Sequence, residues 1–564
     1  MDLLAAAELA EPGHAAYLRL SAAELAFQSG DTLQSKRILD SIQPPIDAEF
    51  RRNFALLNAN IAIVNEEGPE ALTWLRDPAI SHRTLDQPEQ IALGQLRAEA
   101  YFVGRSYLAS ARERIFFDSL LSREQRADNQ EMIFSTLLEI PQANLNAQAQ
   151  KAITSELRGW LSLAAMTKQY QSRPMRQLEA LGQWRRVWAN HPAAIRLPEQ
   201  LRTLSAVVEN QPKAIALLLP LHGDLAPIGR AIRDAIVASR FQLDSEVEIK
   251  IYDTSTDSIQ SLLSQAVQNG AELAIGPLER DKVTELSANQ LLPIPILALN
   301  RTLDASGNPN LYQFALAPED EMVQVADQVF KEGKRNALVI SPDSEWGERN
   351  LTAFRNRWLS LGGNIVDSAS YTNQKDYSTL IKSLLDVDQS EERAASLRRI
   401  IGQGFEFTPR RRKDIDFVFL LGNQTQARGI NPTLAFYYAE DIPVYSTSHV
   451  YEYSESRIES IDLNGIRFCD IPWKLNLADP AQAQLQSLWP AASTGLAPFY
   501  ALGVDAFRLY PRLEQMKQLQ GEKIYGATGI LSLNPNNILI RRLLWAQFSN
   551  GEVITSPQVV PASS

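Results

Sequence analysis

The chain has 564 residues, several times what one compact domain usually needs, so more than one core is expected. Hydrophobic residues at 45% and charged residues at 21% exclude a disordered or collagen-like chain. The net charge of -11, from 66 Asp+Glu against 55 Lys+Arg, opposes a general attraction to phosphate backbones, so no nucleic-acid partner is expected.

A single cysteine, Cys469, excludes an intramolecular disulfide and any cysteine-rich zinc or iron–sulfur site. No stretch reaches the 18 or so apolar residues of a membrane span; the longest uncharged runs, 286–300 and 524–540, are broken by Pro, Asn or Gly. The opening MDLLAAAELAEPGHAAYLRL has neither the basic flank nor the continuous apolar run of a signal peptide.

The first 210 residues, rich in Ala, Leu, Gln and Arg, carry apolar positions at helical spacing. Around Gly30-Asp31 the pattern breaks between two apolar faces, as in two antiparallel helices joined by a tight turn. The break recurs near Glu67-Gly68-Pro69 and Gly104, a spacing close to that of tetratricopeptide-like arrays. Trp160, Trp184 and Trp188 read as core of the last helices, which close at Asn190-His191-Pro192. A helical-repeat domain is therefore expected at 1–210.

At Gln211-Pro212-Lys213 the character changes to short apolar strands alternating with helices. Strands are predicted at 214–221, 247–252, 273–275, 296–299, 337–340, 364–369, 417–421 and 443–446. The units beginning AIALLLPL and NALVISPDSEWG look alike, which implies two doubly wound lobes with any ligand site in the cleft at the strand C-termini. This second domain is expected at 213–564. Lobe one takes about 213–318 plus a later return segment, and lobe two takes about 319–450 plus a C-terminal segment.

Motifs for catalysis are missing. His14, His82, His191, His222 and His449 have no partner at metal-ligand spacing, and there is no HExxH, GxSxG or Walker A sequence. Neither metal nor cofactor is expected. Gly402-Gln403-Gly404 lacks the third glycine and the preceding strand of a dinucleotide loop, and His222 with Asp224 reads as a turn. The strongest charge feature is Arg410-Arg411-Arg412-Lys413, with Arg398 and Arg399 upstream, a solvated run or a docking surface for an acidic partner. Of the aromatics between Phe436 and Trp473, Tyr451 and Tyr453 are the expected exposed ones. On the residues alone the reading is a non-enzymatic binding protein with a helical adaptor.

The order of segments adds a resemblance. LLLPLHGDLAPIGRAIRDA, AIGPLERDKV, SPDSEWGERNLTAFRNRWLSLGGNIV and the closing GATGILSLNPNNILIRRLLWAQFSNGEV resemble the type I periplasmic solute-binding fold. RRRKDIDFVFLLGNQTQARGINPTLAFYYAEDIPVYSTS, GIRFCDIPWKL and ALGVDAFRLYPRL resemble the LpoA (LppC) family of outer-membrane lipoproteins, over essentially the whole chain. The resemblance implies a non-enzymatic regulator of peptidoglycan synthesis. It would be held on the periplasmic side of the Gram-negative outer membrane by an N-terminal lipid, would contact peptidoglycan, and would activate the transpeptidase of a class A penicillin-binding protein of the 1A type. No lipobox cysteine precedes Met1, so attachment is implied by the resemblance alone and this chain is expected as a soluble form.

The solute-binding relatives supply the rival reading, a periplasmic receptor for a small wall-derived ligand or peptide. By that resemblance the cleft positions are Glu279, Asn300, Trp346, Gln426 and His449, with Arg410, Arg411, Arg412 and Lys413 as candidate partner surface. A cleft packed with its own side chains is the third possibility, and a hydrolase has no motif in its favour.

Overall fold

The computed structural model describes residues 2–42, 47–81, 85–289, 291–302, 308–373, 377–402, 406–452, 460–475 and 479–555. His82, Gln403, Gly404 and Tyr453 lie outside them. The chain divides into two compact units, Met1–Leu204 and Ser205–Ser556.

The first unit is a succession of antiparallel helix pairs. Helices Pro12–Gln28 and Thr32–Asp40, Ala48–Val64 and Gly68–Leu75, and Gln87–Val103 and Tyr107–Asp118 are three turns of one pattern. Where the helices of each pair cross, small residues let the backbones approach: Ala23 with Ser35, Ala59 with Ala71, and Ala98 with Ser110, all fully buried. Ser35 and Ser110 donate to the carbonyls of Ala23 and Ala98 at 2.8 and 2.6 Å, so the repeat persists down to a single hydrogen bond. Neighbouring pairs share cores, with Leu20, Ile38 and Leu39 packed on Phe50, Leu57 and Ile61 of the next pair. Each pair thus buries an apolar face that it could not bury alone.

The helix breaks fall where the sequence puts them, between Val64 and Gly68 and between Val103 and Tyr107. Each first helix ends in a left-handed residue whose successor donates back across the turn: Asp31 N to Ala26 O, Glu67 N to Ala62 O and Ser106 N to Tyr101 O. The left-handed residue is Gly30 in the first pair but Glu66 and Arg105 in the others, at φ 60° and 58°. Gly68 and Gly104 serve contact instead. A Cβ on Gly68 would lie 2.5 Å from Gly104 Cα, so these glycines let consecutive repeats touch.

In the second unit, β1 Ala214–Leu219, β2 Glu248–Asp253, β3 Leu273–Ile275, β4 Ile296–Ala298 and β5 Leu311–Gln313 form a parallel sheet in the order β2-β1-β3-β4-β5. A second sheet contains β6 Asn336–Pro342, β7 Asn364–Tyr371, β8 Phe417–Leu420, β9 Val444–Ser446 and β10 Arg467–Asp470. Its order, β7-β6-β8-β9-β10, is that of lobe one. β11 Ile524–Tyr525, β12 Ile530–Leu533 and β13 Leu539–Arg542 make a small antiparallel sheet, and β14 Leu544–Ser549 and β15 Glu552–Thr555 extend the lobe-two sheet from β10. The central strands β1, β6 and β8 are almost entirely apolar and buried, as parallel strands covered on both faces must be.

The lobes repeat a contact as well as a topology. A Cβ on Gly229, in the helix after β1, would meet Pro220 O at 2.0 Å; a Cβ on Gly347, in the helix after β6, would meet Pro342 O at 2.2 Å. In each lobe a glycine lets the helix start pack on the end of the central strand.

Helix Ala497–Leu509 returns to lobe one and is buried on nearly every face. Leu502, Ala506 and Phe507 complete the core of Leu217, Ile232 and Ile275. Ala497, Tyr500, Ala501 and Val504 join a second cluster that runs from Ala235 through Trp473 to Phe354, Trp358 and Phe417 of lobe two. One apolar core therefore continues from lobe to lobe through this helix. Among the described residues no helix is long and apolar enough to cross a membrane.

Candidate functional site

The segments that follow the strands of both lobes hold the sequence-predicted residues. In lobe one, Glu279 follows β3 and accepts from Thr254 Oγ1 at 2.6 Å and from Lys282 Nζ at 3.1 Å. Its Oε2 is buried without a hydrogen-bond partner. Asn300, after β4, donates to Leu278 O at 2.9 Å and accepts from Arg301 N at 2.9 Å, tying the two loops together. Beside them Asp253 accepts from His222, from the Ser255 hydroxyl and, at 2.9 Å, from Leu221 N. Burial pulls this carboxyl up, but those hydrogen bonds outweigh it and hold it far below the usual carboxylate range.

In lobe two, Trp346 and His449 do meet, their rings edge to face with centroids 5.0 Å apart. Glu321, buried at 6% exposure, accepts from Ser448 N and Oγ at 3.0 Å and lies 3.9 Å from His449 Nδ1. Burial lowers the His449 pKa, Glu321 raises it and nearby Lys474 lowers it further. Gln426 is committed elsewhere: it closes a capping box with Asn423 and accepts from Tyr371 OH at 2.9 Å. Of the five residues expected at the cleft, the structure pairs Trp346 with His449, puts Glu279 and Asn300 on adjoining loops, and spends Gln426 on a helix start.

The basic run is divided. Arg411 holds Asp441 through two hydrogen bonds at 2.7 and 2.6 Å, and Arg412 holds Asp414 through two at 2.8 Å; their side chains are only 16% and 17% exposed. Arg410 and Lys413 are exposed and make no ion pair among the described residues. The expectation for Tyr451 is corrected too, while that for Tyr453 falls outside the described residues. Tyr451 packs on Phe468 and Phe548 with Lys474 over its ring, whereas Phe436 and Tyr438, at 74% and 49%, are the exposed pair.

Sequence reading missed the buried charges between the lobes. Arg508 forms a two-pronged bridge to Asp479 at 2.6 and 2.8 Å and lies 3.8 Å from Asp505. Asp505, fully buried, accepts from Ala527 N, Thr528 N and Thr528 Oγ1, each at 2.7 Å. Burial raises its pKa, and Arg508 with these donors pulls it back. An Asp and an Arg three residues apart in the apolar run ALGVDAFRL were the available signal. Asp470, also buried, pairs with Lys474 at 2.7 Å; burial nonetheless pushes its pKa up to about 6.

Two parallel lobes of one strand order, joined by crossovers and preceded by helical repeats, define a tetratricopeptide-like unit with a type I periplasmic-binding-protein-like domain. The chain belongs to the family described as "LppC putative lipoprotein", whose family model matches residues 2–551. Similar curated proteins include the penicillin-binding protein activator LpoA of Photobacterium profundum, 28% identical over 83% of this chain and 76% of its own. The penicillin-binding protein activator LpoA of Aliivibrio fischeri is 27% identical over 94% of this chain and 87% of its own. Full-length LpoA from Haemophilus influenzae matches in fold with a TM-score of 0.51 at 24% identity, covering 98% of this chain and 97% of that one.

Proposed function

We propose that this chain is a non-enzymatic activator of peptidoglycan synthesis that binds a class A penicillin-binding protein of the 1A type and raises its transpeptidase activity. The observation that carries the reading is the match to relatives of that name along nearly the whole chain, 94% of it in one case. In the full protein an N-terminal lipid would hold it on the periplasmic side of the outer membrane, in keeping with the lipoprotein family.

The internal arrangement is consistent with a docking role. The loops after β2, β3 and β4 hydrogen-bond to one another, and helix Ala497–Leu509 packs its side chains into the cores of both lobes. Such a domain offers a stiff outer surface. The mechanism is allosteric: the two-lobed unit docks on a noncatalytic periplasmic domain of the synthase and binds its transpeptidation-competent state more tightly than its resting state.

The test is cross-linking by purified class A synthase fed lipid-linked precursor, with and without this protein. A rise in cross-links that is lost when residues 213–564 are removed is the expected result. Unchanged cross-linking together with absent binding would refute the reading.

A further inference from the structure

We propose that a pocket at the hinge side of the cleft binds a small monoanion, a carboxylate carried on a short apolar body. The cavity measures about 290 Å³ and is bounded by the loops after β3 and β4, the crossover 315–319, Arg349 of lobe two and helix Ala497–Leu509. That volume lies at the small end of ligand sites.

Charge bookkeeping of the lining sets the ligand's sign. Arg280, Arg301 and Arg349 reach the pocket, with Glu319 as its acidic member. Arg349 pairs with Glu319 at 2.8 Å and Arg301 with Asp320 at 2.7 Å. Arg280 has no carboxylate at ion-pair distance among the described residues; its Nε donates to Arg301 O at 3.3 Å. One half-buried guanidinium is thus left to meet an anion, and it offers the planar fork that suits a carboxylate. Among the residues lining the pocket no acidic group is left over for an ammonium, because its one carboxylate, Glu319, is engaged by Arg349. A zwitterionic amino acid is a poor occupant for that reason. Leu278, Leu316, Phe499 and Leu502 supply the apolar wall, so the ligand's body is hydrocarbon rather than sugar.

The inference is independent of synthase activation, which can operate with the pocket empty. Ligand-observed NMR and calorimetry would compare hexanoate, hexanamide and norleucine, three probes sharing one carbon skeleton, at matched ionic strength. Hexanoate should bind saturably and at least tenfold more tightly than the other two. Arg280→Gln should lose that tenfold preference, Arg280→Lys should keep part of it, and Lys413→Gln, at an exposed cation in lobe two, should leave it unchanged. No saturable hexanoate binding, equal binding of hexanamide, or full hexanoate affinity in Arg280→Gln would overturn the proposal. The wild-type panel decides by itself if the Arg280 variants fail to fold.

Discussion

Removing the Asp505 carboxylate tests whether the buried charges between the lobes hold the second unit together. Asp505→Ala leaves three donors, Ala527 N, Thr528 N and Thr528 Oγ1, without an acceptor in a site closed to water. At about 1.5 kcal/mol for each orphaned donor the loss reaches roughly 4 to 5 kcal/mol. Two effects oppose each other on top of that. Arg508 keeps its bridge to Asp479 and so is not stranded, and removing a carboxylate whose burial raises its pKa relieves part of the desolvation cost. The net expectation is about 3 kcal/mol of destabilisation, within the range for breaking buried polar networks. Urea unfolding followed by tryptophan fluorescence reads it, since Trp473, Trp489 and Trp545 all pack in or on the core that helix Ala497–Leu509 enters. Asp505→Asn, which keeps the volume but loses the charge, should fall between wild type and alanine. A loss under about 1 kcal/mol for Asp505→Ala would show that water or backbone movement satisfies the donors, and the account of the network as a clamp would fail.

Asp470 gives a pH signature. Its folded pKa, about 6 against a usual 3.8, means that the folded state holds this proton more tightly. The stabilisation is full below about pH 4 and is lost as pH rises through about 6, for a total of about 3 kcal/mol. Wild-type stability minus that of Asp470→Asn should therefore fall by that amount between pH 4 and 7, and a flat difference would count against it. Gly229→Ala and Gly347→Ala should each cost about 2 to 3 kcal/mol by pushing a helix start off its strand, whereas Gly182→Ala, with open space at its Cβ, should stabilise by up to about 1 kcal/mol. Thermal unfolding of the three variants side by side separates packing from helix propensity. Reversing Arg410 and Lys413 together should leave stability within about 0.5 kcal/mol of wild type, while Arg411→Glu, which breaks the bridge to Asp441, should cost about 1 kcal/mol. Loss of synthase binding at low salt in the first variant would add these two cations to the docking surface.

Periodicity carried much of the fold, because the elements it predicts are local. Ala214–Leu219 reads as a buried strand from its own six residues, and Gly30-Asp31 reads as a turn from its own chemistry. The three-residue β5 did not, since Leu311–Gln313 becomes a strand only through parallel pairing with β4. Nor did the left-handed residues Glu66 and Arg105 inside the expected breaks, since nothing in a non-glycine residue's own chemistry announces that geometry. Glu279, Asn300 and Trp346 came from the resemblance to the solute-binding fold and not from periodicity, and the structure sets them in the segments after β3, β4 and β6. Arg508 with Asp479, or Glu321 with Ser448, lie 29 and 127 residues apart, and no local window of sequence contains both partners and the reason for their approach.

The return of helix Ala497–Leu509 also sets when the second unit can finish folding. Leu217, Ile232 and Ile275 are synthesised long before Leu502, Phe507 and Leu531, yet they share one core with them. Lobe one must wait, partly formed, until nearly the whole chain has emerged. During that interval its apolar surface is open to chaperones and to misassembly. A chain cut after residue 318 would remain in that waiting state, so quality control can recognise an unfinished copy by the very surface that the last hundred residues cover.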